Sequence, residues 1–152
     1  MIIHVLFGTE SGNAELVASD IADALQDEHD VRVDDLTDAA DDIGSADLTL
    51  IVCSTHGEGD LPQSAVPFVD ALRSDRPDLT GLTFAVFGLG DSSYPNYSKG
   101  SEHVEVLLRE LGASRIGEYG RHDANGRSDP SDVGVEWARS VIETRALVDK
   151  HI

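Results

Sequence analysis

The sequence predicts an α/β fold: a five-stranded parallel sheet with helices on both faces. Three observations carry the prediction. Short apolar, β-branched runs alternate from end to end with stretches whose apolar residues recur at three-and-four spacing. Most of the strand runs are apolar nearly throughout, as strands buried on both faces are. The residues following the first, third, fourth and fifth runs are rich in Gly, Ser, Thr and Asn. In parallel sheets, ligands bind beyond the carboxyl ends of the strands.

The elements follow in order. Ile2–Phe7 is the first strand. The first helix carries Ala14, Val17, Ala18, Ile21, Ala22 and Leu25 on one face. Val31–Leu36 is a short second strand, half exposed by its alternation, and an acidic connection follows it. Asp47–Cys53 is a central strand. Ser64–Arg73 reads as a helix with Val66, Val69 and Leu72 inward, and Leu82–Phe87 as the next buried strand. Ser101–Leu111 is a helix with Val104, Leu107, Leu108 and Leu111 inward and Gly112 as its stop. Arg115–Tyr119 is the last strand, and Ser131 to about Val148 the closing helix, capped by Ser131. There are no repeats, low-complexity segments or linkers, so 1–152 reads as one domain able to bury a core.

Composition narrows the function. There are 29 acidic residues against 11 basic ones, a formal net charge of -18, and Lys99 and Lys150 are the only lysines. The acids are spread along the chain, with a concentration at Asp34, Asp35, Asp38, Asp41, Asp42 and Asp47. Such self-repulsion is tolerable where salt screens it, which points to a salt-rich cytoplasm, as in halophilic microbes. The competing reading is a local acidic face for a basic partner. Either way, nucleic acid and anionic membranes are excluded as partners. No apolar run reaches the length of a membrane span, and the amino end lacks the pattern of a signal peptide. A single cysteine, Cys53, allows no internal disulfide, so a reducing cytoplasm is the expected home. Cys53 reads as a small core residue rather than a redox thiol, and Trp137 as core beside Ala138, Val141 and Ile142. His4, His29, His103 and His151 are scattered without metal-ligand spacing.

The chemistry sits in the turns. Gly8-Thr9-Glu10-Ser11-Gly12-Asn13-Ala14 joins the first strand to a helix start, where unpaired N–H groups and the positive dipole end suit a phosphate. It has neither the Gly-Lys-Ser/Thr of a P-loop nor the Gly-x-Gly-x-x-Gly of a dinucleotide fold, and no Lys or Arg. Ordinary capping alone would also use these residue types. After the third strand comes Ser54-Thr55-His56-Gly57-Glu58-Gly59-Asp60-Leu61-Pro62. After the fourth comes Gly88-Leu89-Gly90-Asp91-Ser92-Ser93-Tyr94-Pro95-Asn96-Tyr97, and after the fifth Gly120-Arg121-His122-Asp123-Ala124-Asn125-Gly126. Glycines let backbone approach a flat ligand, and Tyr94 and Tyr97 offer faces for stacking. Asp91-Ser92-Ser93 could equally be a turn and cap, and His122 and Asp123 plain loop residues. Ser54, His56 and Asp91 invite comparison with a hydrolase triad, but no Gly-x-Ser-x-Gly elbow is present.

Together these segments resemble the flavodoxin family, in order and spacing, over nearly the whole chain. Thr9-Glu10-Ser11-Gly12-Asn13-Ala14 is similar to its phosphate loop. Ser54-Thr55-His56-Gly57-Glu58-Gly59-Asp60 resembles the flavin loop of the FMN domains of diflavin reductases, and Gly88-Leu89-Gly90-Asp91-Ser92-Ser93-Tyr94 the second flavin loop. The chain lacks the insertion of long-chain members and so looks short-chain, and it is also similar to MioC-type proteins. The resemblance implies a three-layer sandwich and FMN as cofactor. It implies that Thr9, Glu10, Ser11, Gly12, Asn13 and Ala14 surround the phosphate, and that Tyr94 stacks on one ring face. His56 stands where many relatives place Trp or Tyr against the other face. Thr55, Gly57, Leu89, Gly90 and Asp91 would line the ring edge, with Asn96, Tyr97 and Asp123 nearby. Ser54 and Gly88 complete the cofactor-binding set.

The function so implied is electron transfer. The Gly57-Glu58 peptide can turn its carbonyl toward N5 of the half-reduced flavin and favour the neutral semiquinone, while Glu58, Asp60 and Asp91 disfavour the fully reduced anion. The implied role is a monomeric carrier with no substrate of its own. It would shuttle single electrons from a flavin reductase or a ferredoxin/NADP-type reductase to a redox enzyme, or serve as accessory to one enzyme. The alternatives are an FMN-dependent reductase acting on small substrates, and a flavin-free binding or signalling module of the same architecture. A phospho-receiver would need an acidic pair, a phosphorylatable Asp and a Lys where Thr9-Glu10-Ser11, Ser54-Thr55-His56 and Gly120-Arg121-His122 stand.

Overall fold

A computed structural model of the chain describes residues 1–8, 13–41, 43–44, 46–54, 65–90, 99–117, 120–123 and 129–150. Its strands are β1 (Ile2–Gly8), β2 (Asp30–Asp35), β3 (Leu48–Ser54), β4 (Thr83–Gly90), β5 (Ser114–Arg115) and β6 (Gly120–Asp123). Its helices are α1 (Asn13–Leu25), α2 (Val66–Asp75), α3 (Lys99–Glu110) and α4 (Pro130–Lys150), with a 3-10 turn over Leu36–Asp41. All strand pairs are parallel, in the order β2-β1-β3-β4-β5, and β6 also pairs with β4. Because β3 occupies one edge of β4, β5 and β6 share the other, as two pieces of one fifth position. The sheet is therefore five positions wide, as the sequence predicts.

Side-chain alternation along the strands builds two apolar layers. Ile3, Val5, Phe7, Leu48, Leu50, Val52, Ala85, Phe87 and Leu89 pack against α1 and α4. Leu6, Ile51, Cys53, Phe84 and Val86 pack against α2, α3 and the 3-10 turn. Full burial of each Leu, Ile, Val or Phe contributes roughly 1.5–3 kcal/mol. β2 is the half-exposed edge, alternating exposed and partly buried residues along Asp30–Asp35 as its sequence predicts.

The structure corrects the sequence reading in three places. The last strand is not one run over 115–119. β5 ends at Arg115, the backbone breaks at Gly117 (φ 71°), and pairing resumes at Gly120, so Gly120–Asp123 is strand rather than loop. Gly-Arg-His-Asp has little strand propensity, and the open edge of the long β4 supplies the ladder instead. In α2, Val66 points outward, 41 % exposed, and Phe68 is buried with Val69 and Leu72. Val66 lies one step off the inward row of Ala65, Phe68, Val69 and Leu72. The cap of α4 is Asp129, whose Oδ1 accepts the N–H groups of Ser131 at 2.8 Å and Asp132 at 3.3 Å. Pro130 opens the helix and makes the residue before it the cap. The Ser131 hydroxyl donates instead to Asp20 on α1.

Candidate functional site at the carboxyl ends of the strands

Parallel pairing brings the ends of β1, β3, β4 and β6 to one rim. The register sets them in rows: Gly8 beside Cys53, Cys53 beside Gly88 and Gly88 beside Arg121; then Ser54 beside Leu89 and Leu89 beside His122; then Gly90 beside Asp123. From β1 the chain moves outward one way to β2, and from β3 the other way to β4. The rim between β1 and β3 is thus the switch point of a doubly wound sheet, where a crevice opens because successive connections leave on opposite faces.

Gly8 closes β1 at this switch point. A Cβ there would lie 2.9 Å from Leu36 Cδ1, 3.1 Å from Cys53 Sγ and 3.3 Å from Ala65 Cβ, so a side chain at this position would displace Leu36 and press on Cys53 and Ala65. Ser54 ends β3 half-buried, and its hydroxyl donates to the Gly8 carbonyl at 3.2 Å. Beneath them Cys53 is fully buried, and burial pushes its thiol up to about 12. The thiol is a packed, protonated core group, as the sequence suggests. Five residues after Gly8, α1 begins at Asn13, which is exposed, with Ala14 buried beneath it. The first N–H groups of a helix lack acceptors within it, so the start of α1 offers backbone donors.

The predicted site residues divide between rim and undescribed segments. Asn13, Ala14, Ser54, Gly88, Leu89, Gly90 and Asp123 lie in the elements that make the rim. Thr9, Glu10, Ser11, Gly12, Thr55, His56, Gly57, Asp91, Tyr94, Asn96 and Tyr97 lie outside the described residues. His122 is not a plain loop residue: it is buried in β6. Gly8 is the rim position the predicted set omits, and its signal is a glycine ending an apolar strand before a hydroxyl-rich turn. His4 is buried low on β1, away from the rim; its Nε2–H donates to Asp34 Oδ2 at 2.7 Å, and Arg32 donates to its Nδ1 at 3.4 Å. That leaves both ring nitrogens satisfied in a structural role. Among the described residues, no group of His, Cys, Asp and Glu is arranged to hold a metal ion, and no helix is long and apolar enough to cross a membrane.

This donor set fits FMN. Residues 8–15 contain no cation, so a phosphate there would rest on backbone N–H groups and hydroxyls at a helix start. At the switch point Gly8, the last residue of β1, stands beside Cys53, and Ser54 follows as the last residue of β3.

Comparison with known proteins agrees. The sequence pattern of the family described as Flavodoxin matches residues 5–137. Flavodoxin YqcA of Pectobacterium carotovorum is 36% identical over 140 residues, covering 91% of this chain and 93% of its own. The sulfite reductase (NADPH) flavoprotein alpha-component of Mannheimia succiniciproducens is 36% identical over 144 residues, 93% of this chain but 24% of that longer protein. Oxidised flavodoxin 1 from Bacillus cereus superposes with a TM-score of 0.80 at 29% identity, over 94% of this chain and 98% of that one.

Proposed function

The chain belongs to the flavodoxin family, with FMN as its cofactor in electron transfer, and from that premise we propose that it is a diffusible carrier passing electrons one at a time. Its donor is a flavin reductase or ferredoxin/NADP-type reductase, and its acceptor a redox enzyme. The observation that supports this reading best is the rim itself, where β1 ends at Gly8 beside the end of β3 at the switch point, five residues before α1 begins, with no cation in the sequence between. The phosphate is held by Thr9, Glu10, Ser11, Gly12, Asn13 and Ala14. Tyr94 stacks on the ring, with His56 against its other face. Thr55, Gly57, Leu89, Gly90 and Asp91 border the ring, with Ser54, Gly88, Asn96, Tyr97 and Asp123 around them. The flavin supplies the redox chemistry; the protein orients it and sets the charge around it.

The net charge of -18 selects a partner with a basic docking face and suits a monomer in a salt-rich cytoplasm. The likeness to an NADPH-named flavoprotein of which this chain spans 24% fits a donor that handles the nicotinamide elsewhere. The test is reduction of the FMN-loaded protein by NADPH, alone and with a catalytic amount of a ferredoxin/NADP-type reductase. A carrier stays oxidised alone and bleaches once the reductase is added. Rapid bleaching by NADPH alone overturns the proposal in favour of a direct reductase.

A further inference from the structure

Five large apolar side chains stand exposed among the described residues: Met1, Ile2, Leu16, Val66 and Val106. Leu16 is the most exposed of them, at 60%. Its place in the fold also sets it apart. α1 starts five residues after β1 ends, so its first turn stays near the rim, and Leu16 is its fourth residue. Met1 and Ile2 lie at the opposite end of β1. Val106 is the eighth residue of α3, two turns in from the helix start. Val66 does open a helix, but α2 packs on the other face of the sheet.

Charge distinguishes the helices further. α1 carries Glu15, Asp20 and Asp23 and no basic residue. Ser19, Asp20 and Asp23 follow Leu16 at i+3, i+4 and i+7, the spacing of one helix face, and Glu15 precedes it. α2 has no acid in its first turn and carries Arg73, and α3 mixes Lys99, His103 and Arg109 with its acids. A leucine set among carboxylates complements one kind of surface, an apolar hollow rimmed by Arg or Lys. The two parts act over different ranges. Carboxylates steer the encounter, but at about 1 M salt their reach falls to about 3 Å. Burial of apolar surface is not screened, so the leucine still holds contact in high salt.

On the premise that the chain is a carrier reduced by a ferredoxin/NADP-type reductase, we infer that the outer face of α1 is the docking surface for that reductase, with Leu16 as its apolar anchor. The reductase presents a basic-rimmed apolar hollow that takes the leucine. Docking here seats the partner on the helix that follows β1 from the β1/β3 switch point.

The experiment measures NADPH-driven reduction of the FMN-loaded full-length protein by a catalytic amount of such a reductase, at about 0.1 M and about 1 M salt. The chains compared are wild type, Leu16→Gln, Asp23→Asn and Val106→Gln. Gln is close to Leu in helix propensity, and both replaced apolar side chains are exposed, so the variants fold as the wild type does. Leu16→Gln raises the KM for this protein about tenfold at both salt concentrations, the size expected when a leucine is no longer buried on docking. Its kcat and FMN Kd stay within about twofold of wild type. Asp23→Asn raises KM about threefold at low salt and not at high salt. Val106→Gln, 54% exposed on the opposite sheet face, leaves KM unchanged. A Leu16→Gln KM within about twofold of wild type overturns the inference. So does an equal rise in Val106→Gln, a Leu16→Gln FMN Kd weakened as much as its KM, or an Asp23→Asn KM unchanged at low salt. Wild-type protein that the reductase does not reduce, or that NADPH bleaches alone, overturns the carrier reading and takes the inference with it, an outcome distinct from the rest.

Discussion

Cys53 shows how the rim's floor is built at the scale of single residues. Its sulfur lies under Gly8 and is fully buried, and burial pushes its thiol from 9.0 up to about 12. The folded chain thus keeps a proton that the unfolded chain releases near pH 9, so this group's contribution is complete below that pH and is lost as pH rises toward 12. At pH 8 the native protein is expected to resist a disulfide reagent, labelling only as fast as the structure opens, and to react at once in denaturant. Immediate stoichiometric labelling of the native protein would contradict the burial. His122 makes the complementary point: its type suggested loop or ligand, and the fold uses it as a buried strand residue beside Leu89. At this scale chemistry is readable from residue type, while direction is not. Nothing in Ser54's identity says that its hydroxyl turns to Gly8.

Among the elements, those with a dense apolar pattern are legible in the sequence and those stabilised by a neighbour are not. β1, β3 and β4 are largely apolar runs buried on both faces, and the observed bounds fall within three residues of those expected. α1 presents Ala14, Val17, Ala18, Ile21 and Leu25 inward, five of the six predicted. The fifth sheet position is the exception, because Gly120–Asp123 pairs only where β4 offers an open edge. Its geometry depends on Gly120, where a Cβ would lie 2.6 Å from Phe87 Cδ2 and 2.6 Å from Trp137 Cδ1. Those two rings meet at 5.3 Å with planes at 42°. Gly120→Ala is therefore expected to cost about 1–3 kcal/mol, the range for overfilling a packed core. Chemical denaturation followed by Trp137 emission checks this, and a variant as stable as wild type would contradict the contact. Since β6 carries Asp123 to the rim, the same substitution should weaken FMN binding too. At the rim itself, the loop motifs were legible because Gly, hydroxyl and amide residues cluster after strands. Gly8 is signalled by its place at the end of an apolar strand, but the reason for it is not, since the packing against it comes from Leu36 and Ala65, both distant in sequence.

The whole molecule is governed by charge. With 29 acids and 11 basic residues, the folded state concentrates repulsion that the unfolded chain spreads out. Ion pairing offsets only part of it; Glu105, for instance, is buried between Arg115 at 3.0 Å and Arg109 at 3.5 Å. Raising salt from about 0.1 M to 1 M shortens the screening length from about 10 Å to 3 Å. The melting temperature is therefore expected to climb by about 10 °C over that range, a few kcal/mol for a domain of this size. A flat profile would remove the argument for a salt-rich cytoplasm and leave the acids as a docking surface. The central claim, an FMN held at the β1/β3 switch point for one-electron transfer, is tested most directly by absorption spectra of the FMN-loaded protein in high salt during stepwise anaerobic reduction. The flavin bands are expected to give way first to a long-wavelength band holding one electron per flavin and then to bleach with the second. Bleaching in a single two-electron step, or failure to retain FMN at all, would contradict it.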